Sequence, residues 1–217
     1  MRFLKFRLQN QDLYVAKERA GPLLIRAFIA ANLALSVSEE MAKVQSALQK
    51  AQSDIGWVKP QGFHLTFRFL GNIEQARIVP LPTALRAAVR LQPQFRVRTQ
   101  GLGAFPSLTR PRVLWAGLSG DGLQELHTKI ESALDSCGFP PEDRTFRPHI
   151  TLGRVRSPRG WNHVLEGIKA YLQYDFGESP IDKVTLYQSD LRPGGAVYTP
   201  LGVAPLEPIQ CVSIHRP

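Results

Sequence analysis

A chain of 217 residues, 43% hydrophobic and 21% charged, is long enough for a proper core and has none of the composition of a disordered segment. Its 27 Lys and Arg against 18 Asp and Glu leave a net charge of +9, which suits a polyanionic partner through electrostatic steering without naming one. Only Cys137 and Cys211 occur, with no CxxC pair, so a disulfide framework and a zinc site are both excluded as organising features.

Residues Met1 to Pro22 are basic at Arg2, Lys5 and Arg7, but Gln9 to Asp12 interrupt the apolar positions, so no secretory leader is read there. No apolar run of about 18 residues exists to cross a membrane. The expectation is a soluble cytoplasmic monomer in which residues 1–22 are an accessory extension and residues 23–217 a single bilobal domain.

Leu23 to Leu33 is apolar and β-branched after Gly21-Pro22, which predicts a central strand. A helix follows over about residues 37 to 52, capped by Ser36 or Ser38, with Met41, Val44 and Leu48 at helical spacing. Trp57 to Gly62 reads as a loop, Phe63 to Gly71 as a strand, and residues 74 to 91 as a helix with Pro80 and Pro82 in its first turn. Phe95 to Gly103 and Arg112 to Leu118 read as strands joined by a turn over Phe105 to Pro111. Asp121 is the expected cap of a helix through Leu123, Leu126, Ile130 and Leu134 that ends at Gly138. Phe146 to Val155 is a strand, Trp161 to Leu172 a helix, and Ile181 to Leu191 with Val197 to Leu206 a strand pair joined through Pro193-Gly194-Gly195; the tail from Pro208 carries no strong signal.

Two stretches within this order say the same thing. Phe63-His64-Leu65-Thr66-Phe67 and Pro148-His149-Ile150-Thr151-Leu152 are both apolar-His-apolar-Thr-apolar, with their histidines 85 residues apart. Side chains alternate along a strand, so each copy offers one imidazole and one hydroxyl on one face and buries its apolar residues on the other. The matched motif and the matched order of elements imply an internal duplication with pseudo-twofold symmetry, hence an α+β protein of two lobes facing across a cleft.

With its flanks, the chain resembles the 2H phosphoesterase superfamily, and within it the RNA 2′,3′-cyclic phosphodiesterases once called 2′-5′ RNA ligases. The resemblance spans about Arg26 to Leu206. It rests on Arg26-Ala27-Phe28-Ile29-Ala30, His64-Leu65-Thr66-Phe67-Arg68-Phe69-Leu70-Gly71, Arg112 to Gly117, Phe146 to Arg154, and Tyr187-Gln188-Ser189. It implies two antiparallel sheets facing a central cleft with helices outside, and hydrolysis of RNA 2′,3′-cyclic phosphate ends to 2′-phosphates, with 2′-5′ ligation as the reverse. It also implies His64 as proton donor, His149 as proton acceptor and Arg154 as a phosphate contact. Arg68 where the family often has Lys, Gly153 where it often has Ala, and the N-terminal extension depart from the family pattern.

The chemistry asks for the same groups. Opening a cyclic phosphodiester needs a base for water, an acid for the departing ribose oxygen, and donors for the nonbridging oxygens. Imidazole serves both proton roles because it titrates near pH 6.5, and the Thr66 and Thr151 hydroxyls are the donors. A lone His on a strand is usually structural; two copies each followed by Thr are not. His127, His163 and His215 lack a paired Thr and stay outside the site.

Strict alternation puts Arg154 on the core side with Ile150 and Leu152, unless a bulge near Gly153 swings it back. The same parity puts Arg68 with His64 and Thr66, either as a substrate contact or as a rim charge, and Phe67 and Phe69 in the core. Trp57 and Phe105, read as loop residues, either cover the core edge or stack on a base. No phosphate-binding glycine loop and no metal-ligand spacing is present, so no cofactor and no metal are expected. The competing readings are a non-catalytic RNA- or nucleotide-binding module, a metal-dependent phosphatase, and a 2H enzyme for a small cyclic phosphate such as an ADP-ribose cyclic phosphate.

Overall fold

The structure, a computed structural model, describes residues 23–208; the expected extension over residues 1–22, Cys211, His215 and the tail beyond residue 208 lie outside the described residues. Its apolar entry segment forms β1 (Leu24–Asn32), followed by α1 (Leu35–Gln49), β2 (Ile55–Trp57) and β3 (His64–Glu74). Then come a single helical turn (Gln75–Ile78), α2 (Leu81–Val89), and the hairpin β4 (Phe95–Ser107) and β5 (Arg110–Ser119). The remainder is α3 (Leu123–Ser136), β6 (His149–Val155), α4 (Trp161–Lys169), β7 (Asp175–Ile181), β8 (Lys183–Arg192) and β9 (Gly195–Pro205).

The main strands run in the order β7-β4-β5-β6-β3-β1-β8-β9, with antiparallel pairing throughout, and β2 pairs with β6 off this path. Two four-stranded halves therefore meet at β6 and β3, and among the described residues these two strands join through a single residue pair, Leu65 with Ile150. Each half has its own core. Helices α2 and α3 cover β3-β1-β8 with Leu81, Leu85, Val89, Leu126, Ile130 and Leu134. Helices α1 and α4 cover β6-β5-β4 with Val37, Met41, Val44, Leu48, Val164 and Ile168.

The lobes do not follow the sequence halves. The strand β4, from the first half, pairs with β5 and β7, while β8, from the second, pairs with β1. Helix α1 likewise packs on the lobe that carries the second motif, and α3 on the lobe that carries the first. Each core is sewn from both repeats.

Several expectations need correction. Residues 74 to 91 are a turn and a separate helix, because Pro82 sits in the first turn of α2 where it is tolerated, and not further along. Ser36 and Ser38 lie inside α1; the residue before it is Ala34, whose N–H donates to buried Ser179 Oγ at 3.0 Å. Asp121 does not cap α3. The helix starts after Gly122, where a Cβ would fall 2.6 Å from the Phe95 ring, so only glycine lets the chain pass that close. Its other end is as expected: Gly138, at φ +77°, donates to Asp135 and Phe139 to Leu134, the paired bonds of a Schellman motif. The short β2 and the edge strand β7 carry no clear sequence signal, the one because three residues around Gly56 show no period, the other because Gly177 and Pro180 read as breakers.

Candidate active site

Both motif strands alternate only as far as their threonines. In β3, Ile29 pairs with Arg68 and Ala30 with Thr66, leaving Phe67 as an extra residue; in β6, Leu114 pairs with Gly153 and Trp115 with Thr151, leaving Leu152 extra. These are β-bulges at equivalent points, and they invert the parity of the residues beyond them. The two strands consequently bury their residues in the same order: histidine and threonine partly open, the two residues of the bulge buried, the next one exposed.

Arg68, expected beside His64, is thereby turned into the core and is 8% exposed. It pairs with Glu131 of α3, donates to the Pro140 carbonyl, and has Glu142 at 3.4 Å. Phe69, expected in the core, is 47% exposed on the cleft wall. The same inversion brings Arg154 to the cleft, as the bulge near Gly153 allows. Phe69 and Arg154 are thus equivalents in the two repeats, one an aromatic ring and the other a cation.

A cleft of about 900 Å³ lies between the lobes, and His64, Thr66, Thr151 and Arg154 line it. Its walls also carry Arg26, Lys59, Arg156 and Arg192, and no Asp or Glu among the described residues. His149 is not on that wall; its ring packs edge-on against Phe105 at 5.0 Å. It is still near enough that its charge opposes protonation of His64. Because Leu65 and Ile150 pair antiparallel, the register directs His64 towards Thr151 and Thr66 towards His149.

The two imidazoles are held alike. His64 Nδ1 lies 2.7 Å from the Gly62 carbonyl and His149 Nδ1 2.7 Å from the Arg147 carbonyl, each two residues upstream. A carbonyl oxygen only accepts, so Nδ1–H donates in both and Nε2 is left to take or give a second proton. Burial pushes both rings below the ordinary value of 6.5, against the pull of those carbonyls; His149 adds to the effect on His64, and Arg154 to that on His149. Their surroundings differ. His64 stacks on Phe28 at 4.8 Å and meets Tyr198 edge-on at 5.2 Å. It separates the cleft from a second cavity of about 590 Å³ bounded by Phe28, Tyr187, Tyr198 and the start of α1.

The outlying residues sort themselves by packing. His127 stacks on Phe146 at 4.1 Å, beside Glu131, and His163 lies on α4; neither lines either cavity. Phe105 is in β4, not in a loop, and Trp57, in β2, lies against Gly153 and lines the cleft. Sequence reasoning missed Gln45, a buried amide in the apolar stripe of α1 that donates to the Val58 carbonyl at 2.8 Å and the Leu152 carbonyl at 3.0 Å. It ties the second bulge to the cleft wall. Its signal is present in the sequence, since a lone Gln four residues after Met41 on the buried face needs an acceptor. Among the described residues, no three His, Cys, Asp or Glu side chains gather as a metal site requires.

Comparison with known proteins decides the family. The model of the LigT-like phosphoesterases matches residues 33–115 and again residues 119–198, one match per repeat. The chain belongs to the LigT-like phosphoesterase family. The phosphoesterase is 33% identical over 178 residues to the RNA 2′,3′-cyclic phosphodiesterase of Thermotoga maritima, covering 80% of this chain and 91% of that one. Among solved structures it superposes on a Thermus thermophilus protein with a TM-score of 0.72 at 28% identity, covering 86% and 100% of the two chains. With Escherichia coli LigT complexed with 3′-AMP the TM-score is 0.64 at 25% identity, covering 85% and 99%. The α+β fold expected of a 2H phosphoesterase is therefore the fold observed. No helix among the described residues is long and apolar enough to cross a membrane.

Proposed function

We propose that this phosphoesterase hydrolyses 2′,3′-cyclic phosphates at RNA ends to 2′-phosphates by paired histidine acid and base catalysis. The observation that carries the reading is the pair of His-x-Thr motifs, each with Nδ1 bonded to a carbonyl and, among the described residues, no partner at Nε2, beside a cleft whose charged lining among those residues is all cationic. Relatives named RNA 2′,3′-cyclic phosphodiesterase, matched over most of their length, support the substrate.

In this reading neutral His149 takes a proton from water through Nε2 as the water oxygen bonds to phosphorus. The bond from phosphorus to the 3′ oxygen breaks, and His64, charged, gives that oxygen its proton. One water is consumed and both histidines exchange protonation state. Thr66, Thr151 and Arg154 hold the nonbridging oxygens, where charge builds. His64 is the donor by resemblance to the family, since the repeats are too alike for the motifs to choose. The reaction calls on no metal. With a 5′-hydroxyl in place of water as the nucleophile, the same step forms a 2′-5′ linkage; run backwards, the 3′-hydroxyl attacks that linkage, expels the 5′-hydroxyl and re-forms the cyclic phosphate, with the two histidines exchanging roles.

The test is to incubate the purified protein with an oligonucleotide ending in a 2′,3′-cyclic phosphate, with EDTA, and to identify the product. A 2′-phosphate is expected. A 3′-phosphate would exchange the roles of the two histidines, loss of activity in EDTA would replace the metal-free scheme, and absence of turnover alongside turnover of an ADP-ribose cyclic phosphate would move the substrate to that class.

A further inference from the structure

The cleft is larger and more cationic than one phosphate requires. Its volume of about 900 Å³ lies at the upper end of the roughly 300–1,000 Å³ that accommodates a whole small ligand. Arg154 and the two motifs account for the reacting group, which leaves, besides Arg26 on β1, Lys59, Arg156 and Arg192 on the same walls. None of the three enters an ion pair among the described residues.

Their placement is built. Arg156 comes one residue after β6, its N–H donating to the Asp54 carbonyl. Its guanidinium lies across Gly56, where a Cβ would be 3.1 Å from Nη2 and 3.2 Å from Nε, so the bare glycine leaves the arginine room to lie flat. Gly56 is itself the strand partner of Arg154. Two guanidinium-bearing residues are thus neighbours in a cleft with no carboxylate among the described residues, an arrangement that repels itself until an anion arrives. The β8–β9 hairpin lines the same cleft. Its turn, Pro193-Gly194, brings Gly195, at φ +112°, to where a Cβ would meet Lys59 Cε at 3.7 Å, and Arg192 stands at the base of the same turn.

We propose that Lys59, Arg156 and Arg192 form a second phosphate subsite, which takes the phosphodiester one nucleotide upstream of the reacting cyclic phosphate. This rests on the cyclic phosphodiesterase reading above and narrows it to polynucleotide ends in preference to free cyclic nucleotides. Arginine forks suit a phosphodiester, which offers two nonbridging oxygens in one plane. The occupant belongs to the same strand as the reacting phosphate, because both subsites open on one cleft and a nucleic acid carries its next charge one nucleotide away.

The experiment uses three substrates with the full chain: a cyclic mononucleotide, a dinucleotide ending in the cyclic phosphate, and the same dinucleotide with an uncharged methylphosphonate at the upstream linkage. The charged dinucleotide is expected to exceed the methylphosphonate in kcat/KM by about tenfold or more, as a charge-assisted contact would provide. In an Arg156→Ala/Arg192→Ala variant that ratio falls to about one. Should the wild type turn over both dinucleotides and the mononucleotide with equal kcat/KM, the subsite is overturned while the cyclic phosphodiesterase reading stands. Should none of the three be turned over, that underlying reading fails and takes the subsite with it.

Discussion

Leu65 and Ile150, each 0% exposed, are the residue pair through which, among the described residues, β3 and β6 join the two halves of the sheet, and each lies between a histidine and a threonine of its motif. The reacting groups are therefore positioned by the junction, and neither lobe positions them alone. Replacing Ile150 by Ala removes buried atoms and leaves a cavity, costing about 2–5 kcal/mol. Because the cavity lies under the motifs, kcat should fall further than the fraction of unfolded protein accounts for. Denaturant melts beside single-turnover rates separate the two losses; a fall in kcat matched by the unfolded fraction would contradict this.

His64→Ala and His149→Ala should each lower kcat about 10²- to 10⁴-fold with little change in melting temperature, since each ring performs one proton transfer. Thr66→Ala or Thr151→Ala should cost about 10²-fold, the loss of one hydroxyl donor. Wild-type rates in either histidine variant would end the paired mechanism.

The pH profile is set by the direction in which burial moves both imidazoles. The rate rises with pH as the base loses its proton and falls as the acid loses its own, so kcat/KM is bell-shaped with limbs that belong to the coupled pair. Both rings sit below their ordinary 6.5 in the free protein. The optimum of kcat/KM therefore falls on the acid side of 6.5, whichever ring is the acid. A bound phosphate favours imidazolium, so the optimum of kcat lies higher. Initial rates across pH at low and at saturating substrate check both statements, and a kcat/KM optimum above neutrality would refute the first.

The positions of the two histidine–threonine pairs are legible in the sequence because alternation holds from the start of each motif strand to its threonine. Beyond that the bulges set parity, and a bulge has no periodic signature; hence alternation places Arg68 and Phe69 on each other's faces. Arg154 reads correctly only when a bulge at Gly153 is allowed for. The exchange of β4 and β8 between lobes is not legible at all, since an alternating pattern says that a strand has a buried face and is silent about which strand lies beside it.

Arg68 should prove structural. Arg68→Ala leaves the partly buried Glu131 without its partner, which costs about 3–5 kcal/mol for a pair of this kind, while kcat per folded molecule stays near that of the wild type. Arg68→Met with Glu131→Met should recover much of the stability. A large loss of kcat in the folded single variant would return Arg68 to the site.

Gly153→Ala tests the bulge. A Cβ there would fall 2.6 Å from Ile55 Cγ2 and 3.3 Å from the Trp57 ring, so β2 must move away and Arg154 with it. KM should rise, and Ile55→Ala in the same chain should restore it in part by removing the clashing methyl. Undisturbed kinetics in Gly153→Ala would show that β2 gives way freely.

The exchange of elements between lobes also says what half of this chain could be. A fragment ending at the β4–β5 turn would carry α1 and β4 without β5 and β6, and β1 and β3 without β8, so neither core is complete in it. Two such fragments supply one another's missing pieces. In such a pair one His-x-Thr motif from each copy would meet at the two-fold axis, and in this chain the two repeats are instead joined covalently through the β4–β5 turn.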